Sequence, residues 1–144
     1  RLAPVADRVV HVGPSGAGSQ LKAVAQFVYL SYNAAFGLGL QLARDAGIAP
    51  EAALHVLRSG ASAHPLIGAR PGALQDPDTT ARFLVWRALK DLRGVEGREH
   101  IDPAGGQWLQ MLEAVLTQAG ERHGMERDLL EVLAPLFGPP LQPR

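Results

Sequence analysis

The chain has no cysteine among its 144 residues, which excludes disulfide scaffolds, thiolate zinc sites and thiol catalysis, without fixing a compartment. It carries no net charge, with 14 basic residues against 14 acidic ones. Phosphate backbones demand a clustered excess of cations, so a nucleic-acid partner is not expected. No apolar run approaches the roughly 18 residues of a membrane span, so no membrane partner is expected. The opening stretch, RLAPVADRVVHVG, lacks the charged, apolar and small-residue blocks of a leader. A cytoplasmic chain is the resulting expectation. Lysine is scarce too. Twelve of the basic residues are Arg, and only Lys22 and Lys90 are Lys. Arg serves a solvated surface as well as Lys does but does not readily give up a proton. The two lysines are therefore the first places to look for chemistry. His11, His55, His64, His100 and His123 show no paired ligand spacing, so no metal site is expected.

The remaining pattern is mostly helical. Val9–Val12 reads as a short strand or extended segment, and Gly13-Pro14-Ser15-Gly16-Ala17-Gly18 must turn. Ser19 to Ala46 contains no proline and is apolar around much of its circumference, which predicts one long helix stopped by Gly47. Pro50–Ser59 predicts a short amphipathic helix. Residues 61–82 read as a loop with at most one helical turn. Within Phe83–Arg98 the pattern places a helix start near Leu89. Pro103 introduces a helix over Gln107–Arg122, with Trp108, Met111, Leu112, Val115 and Leu116 at helical spacing. A last helix is expected over Glu126–Leu136, before a Pro-rich tail. The whole predicts an all-α, multi-helix domain built around one long helix, with residues 1–18 leading in and 19–144 forming the domain.

The Gly-rich turn is not a nucleotide fingerprint. The dinucleotide motif is G-x-G-x-x-G and the order here is G-x-x-G-x-G, while a P-loop would need Gly-Lys-Ser/Thr after Gly18. The turn opens a helix, and the N–H groups at such a start suit a carboxylate. Lys22 and Gln26 lie four residues apart on one helical face, and Asn33 continues that stripe. Placed near the helix start among Leu21, Ala23, Val24 and Ala25, Lys22 is expected to be buried and its pKa pushed down. Such a group can protonate a carbonyl oxygen or deprotonate an alcohol. Gln26 can hydrogen-bond the same substrate.

These residues resemble a known pattern. Gly13, Gly16, Gly18 and Lys22, then the Ala-Arg-Asp-Ala-Gly-Ile helix end, then Phe83, Lys90, Asp91 and Leu92, together look like the β-hydroxyacid dehydrogenase family of the 3-hydroxyisobutyrate dehydrogenase type. Pro103, Gly124 and Asp128 look alike as well. The resemblance implies a fold similar to the C-terminal domain of 6-phosphogluconate dehydrogenase. It implies Lys22 as catalytic residue, Gly18 and Gln26 at the substrate, and Lys90 at the nicotinamide cofactor, with Asp91 and Leu92 fixing the helix. Gln26 stands where the family has Asn, one methylene longer. The implied reaction interconverts a small hydroxyacid and a semialdehyde with NAD or NADP. That cofactor is held mainly by an N-terminal nucleotide-binding half that this sequence does not contain, so the isolated chain is expected to be inactive. The implied assembly is a homodimer or higher homo-oligomer paired through these domains. Two other readings stand beside it: a non-catalytic helical dimerisation module derived from the family, and an unrelated helical adaptor.

Overall fold

A computed structural model of the chain describes residues 9–63, 83–95 and 101–129, and these form an all-α arrangement around one long helix. Helix α1 spans Ala17–Asp45, about 43 Å of rise for its 29 residues. Its N-terminal boundary is made by backbone alone. Gly16 caps it at φ 96°, a conformation that L side chains rarely adopt, and no side chain caps the helix. The Ala17 N–H donates to Pro14 O at 3.1 Å. At the far end Gly47 adopts φ 75°, and Gly47 and Ile48 return their N–H groups to Arg44 and Ala43 carbonyls. A glycine just past the last turn is the usual way to satisfy those orphan carbonyls.

Helix α2, Pro50–Leu57, starts on its proline and packs on α1, where Phe36 meets Tyr32, Leu40, Leu54 and Leu57. A 3₁₀ turn, Gly60–Ser62, follows, and Tyr32 donates its hydroxyl proton to Ser62 O at 2.6 Å. The rest of the expected 61–82 loop lies outside the described residues.

Helix α3 runs Val85–Arg93 and starts one turn earlier than the expected Leu89. The reason is tertiary. Val85 and Trp86 donate their N–H groups to Arg127 and Met125 carbonyls, Leu84 and Asp128 form an antiparallel bridge, and Phe83 N donates to Asp128 Oδ2 at 3.2 Å. The segment after Gly124 therefore does the work of a cap, from some 40 residues away. Helix α4 spans Pro103–His123, again earlier than the expected Gln107. Asp102 accepts from the Ala104 and Gly105 N–H groups at 2.9 and 3.2 Å, so the first turn holds despite two glycines. A Cβ at Gly105 would clash with Ile101 at 2.5 Å, which explains a glycine there.

The core lies where α3 and α4 pack against the middle of α1. Val85, Ala88, Leu89 and Leu92 face Leu109, Leu112, Leu116 and Ala119, with Leu30 and Leu129 closing the ends. Of the α4 residues expected at the core, Leu112 and Leu116 are buried and Val115 packs partly against it, whereas Trp108 and Met111 are exposed. Among the described residues Val9–Val12 make no β-pairing, and all four are exposed. Within the expected Glu126–Leu136 helix, Glu126–Asp128 are turn and bridge, and residues beyond 129 lie outside the described set. Among the described residues no helix is long and apolar enough to cross a membrane.

Candidate functional site

The N-terminal turns of α1 project past the core and lie beside α3. On that face Gly18, Lys22 and Gln26 follow one another at four-residue intervals, so they stack along one side of the helix. Across from them, α3 presents Asp91, whose neighbour Leu92 is fully buried and anchors the turn. Gln26 Nε2 donates to Asp91 Oδ2 at 3.2 Å, and Lys22 Nζ lies 3.7 Å from the same oxygen. One carboxylate thus gathers two side chains from a helix 65 residues away in sequence.

The electrostatics differ from the expectation for Lys22. Its side chain is 67% exposed while that of Asp91 is 16% exposed. Leu21, Val24 and Ala25, expected to enclose the ammonium, are exposed as well, because this end of α1 extends beyond the α3–α4 core. The burial argument for Lys22 therefore fails, and its position rests on the carboxylate. Asn33 continues the stripe, within about 20° of Gln26 around the helix, but lies where α3 and α4 cover α1. It is buried, and its Nδ2 donates back to Tyr29 O at 2.7 Å.

Gly18 is exposed at the second position of α1, and a Cβ built there would meet nothing within 4 Å. The helix start is thus open on that side. Lys90 is exposed on α3, one residue before Asp91, and its ammonium has no ion-pair partner among the described residues. Adjacent residues on a helix diverge by about 100°, so Lys90 flanks the carboxylate rather than joining it. No group of three or more His, Asp and Glu among the described residues could hold a metal ion.

No family model matches the chain. It is 29% identical over 127 residues to a protein of Synechocystis sp. named as an uncharacterized oxidoreductase. The chain is similar to an oxidoreductase. The match covers 87% of this chain and 44% of that protein, so the chain spans less than half the length of its relative.

Sequence reasoning placed Lys22 and Gln26 on one face but did not give Asp91 its part as their shared acceptor. The signal was present in the Lys-Asp-Leu run: a buried Leu92 directs the preceding carboxylate sideways along α3. What could not be read was that this side faces α1.

Proposed function

We propose that this chain is the substrate-binding and dimerisation part of an NAD(P)-dependent cytoplasmic oxidoreductase, one that interconverts a small hydroxyacid and the corresponding semialdehyde. The observation that carries the reading is the convergence of Lys22 and Gln26 on Asp91 beside the open start of α1. The similarity to a protein named as an oxidoreductase supports the reaction class. The resemblance of Gly13, Gly16, Gly18, Lys22, Lys90 and Asp91 to the β-hydroxyacid dehydrogenase pattern supports the substrate class.

In this reading the N–H groups at the start of α1, near Gly18, hold the substrate carboxylate with the favourable end of the helix dipole. Gln26 offers an amide to the substrate once it leaves or shares Asp91. Lys22 holds a proton at Nζ and gives it to the carbonyl oxygen, so that carbonyl, hydride and proton become the alcohol. Bound nicotinamide would supply the hydride and be oxidised. This sequence has no dinucleotide fingerprint, so the rest of a longer enzyme would hold most of that cofactor. Exposed Lys90 is suited to touch its polar part. Asp91 keeps the ammonium of Lys22 aimed across the face.

Cofactor oxidation by the complete enzyme, assayed against short semialdehydes, tests the proposal. Lys22→Ala should lower kcat about 10² to 10⁴-fold, the usual reach of acid–base catalysis. Lys22→Arg should restore little, because a guanidinium keeps charge but does not cycle a proton. Wild-type turnover in Lys22→Ala would refute the chemistry. The exposure of Lys22 favours one second reading, a non-catalytic dimerisation module in which the Lys22–Asp91 pair merely ties α1 to α3. That module predicts no turnover at all and an unaltered assembly in Lys22→Ala.

A further inference from the structure

We infer that Asp91 holds the Gln26 amide with its oxygen towards the substrate, so that the site selects a semialdehyde carrying a hydroxyl on the carbon next to its aldehyde group. The inference rests on the functional reading above and narrows its substrate class. One hydrogen bond sets the direction. Gln26 Nε2 donates to Asp91 Oδ2 at 3.2 Å. A carboxylate only accepts, so turning the amide over would lose the bond and set Oε1 against another acceptor. The Asp91 side chain is 16% exposed and Gln26 is half-buried, which leaves less water at hand to offset that reversal. The nitrogen therefore faces α3, and the direction of the amide follows from chemistry as well as from position.

The oxygen is what remains for a substrate. Among the described residues nothing donates to Gln26 Oε1. Along the row Gly18, Lys22 and Gln26 it is the only side-chain acceptor, since glycine has no side chain and an ammonium only donates. The N–H groups at the start of α1 only donate too. A substrate whose carboxylate and carbonyl oxygens take up those donors still leaves Oε1 to be met, and the group that meets it must carry a proton. The row ends in the core: Leu30, one turn beyond Gln26, is fully buried with residues of α3 and α4. Gln26 is thus the inner end of the polar stretch of this face, where an acceptor left unmet is costly.

Two kinds of donor satisfy an amide oxygen, a hydroxyl and an ammonium. The Lys22 ammonium stands one turn away, about 6 Å along the helix, and repels a second cation. The hydroxyl is left. Lys22 Nζ lies 3.7 Å from the same Asp91 oxygen that Gln26 reaches, so the two tips are neighbours. The substrate groups they meet then lie on adjoining carbons, with the aldehyde oxygen at Lys22 and the hydroxyl at Gln26. A methyl branch in that place would set carbon against Oε1. Reduction of the selected substrate gives a 2,3-dihydroxy acid.

The test uses the complete natural enzyme, assayed by cofactor oxidation with 3-oxopropanoates bearing a hydroxyl, a methyl or a hydrogen at carbon 2. The hydroxyl compound should show a kcat/KM about tenfold or more above the other two, the reach of one hydrogen bond set against an acceptor left unmet. Gln26→Leu should bring that ratio close to one. Asp91→Asn should lower the ratio as well, because a side-chain amide can face Gln26 with either its oxygen or its nitrogen and no longer fixes the direction. A merely structural role for Asp91 would slow all three substrates alike. Equal kcat/KM for hydroxyl and methyl compounds, or a preference that Gln26→Leu leaves intact, overturns the inference and leaves the reaction class standing. If no semialdehyde turns over, the functional reading fails and binding decides. Calorimetric titration should then show 2,3-dihydroxypropanoate bound about tenfold more tightly than 3-hydroxy-2-methylpropanoate, a preference that Gln26→Leu abolishes. Equal affinities would overturn the inference.

Discussion

Replacing Asp91 by Asn separates charge from shape at the point where α1 and α3 meet. The amide keeps an oxygen that can accept from Gln26 Nε2, now 3.2 Å from the carboxylate, but removes the charge facing Lys22 Nζ at 3.7 Å. Two unit charges at that distance attract by about 1 kcal/mol in water. Lys22 is 67% exposed, so ordering its long side chain and salt screening offset much of this, and measured pairs of this kind contribute roughly 0.2–1 kcal/mol. Weakening the Gln26 bond from a charged to a neutral acceptor adds about 0.5–1 kcal/mol. The expected loss of stability is therefore about 1 kcal/mol, a melting shift of a few degrees for a domain of this length.

The effect on turnover should be larger than that on stability. Without the carboxylate, an ammonium on an exposed four-carbon stem samples many positions, and acid–base chemistry depends on holding it at the reacting oxygen. In the complete enzyme Asp91→Asn should lower kcat about tenfold or more, with a smaller change in KM. Combined with Lys22→Ala it should cost nothing further, because Asp91 acts through Lys22. Two results refute this reasoning. One is wild-type kcat in Asp91→Asn where Lys22→Ala has lost turnover. The other is full additivity of the two variants, since that would mean Asp91 acts independently.

Three further outcomes test the fold beneath the site. Leu112→Ala empties a fully enclosed position between α3 and α4 and should cost about 2–5 kcal/mol in denaturant unfolding; a loss below 1 kcal/mol would mean the core is not packed as described. Asp102→Ala should cost about 1 kcal/mol by stripping two N–H bonds from the start of α4, and Asp102→Asn should recover most of it. Burial, aided by the charges of Arg122 and Arg127, holds the His123 imidazole below its ordinary range, and its buried Nε2 has no hydrogen-bond partner among the described residues. The unfolded chain takes up that proton near pH 6.5 and the folded chain only at lower pH, so this contribution is complete above the unfolded value and is lost as pH falls towards the folded one. Between about pH 7.5 and pH 5 the natural chain should lose more melting temperature than His123→Phe, and equal losses would count against it.

The helix inventory was legible because its signals are local. A proline-free run ending at Gly47 predicts α1 within two residues at its start and one at its end, and Pro50 marks α2. Where the reading erred, a distant partner had replaced a local signal. Nothing near Val85 announces a helix start, because its first N–H groups are taken by Met125 and Arg127 carbonyls. At Pro103 the two following glycines hid a start that Asp102 holds.

The same division governs the candidate site. Periodicity puts Lys22 and Gln26 on one face, since both are set by a single helix, but only packing says what stands opposite. The sequence criterion for burial failed at Lys22 because apolar neighbours are buried only by what packs over them, and among the described residues Leu21, Val24 and Ala25 stay exposed, where α1 runs past the α3–α4 core.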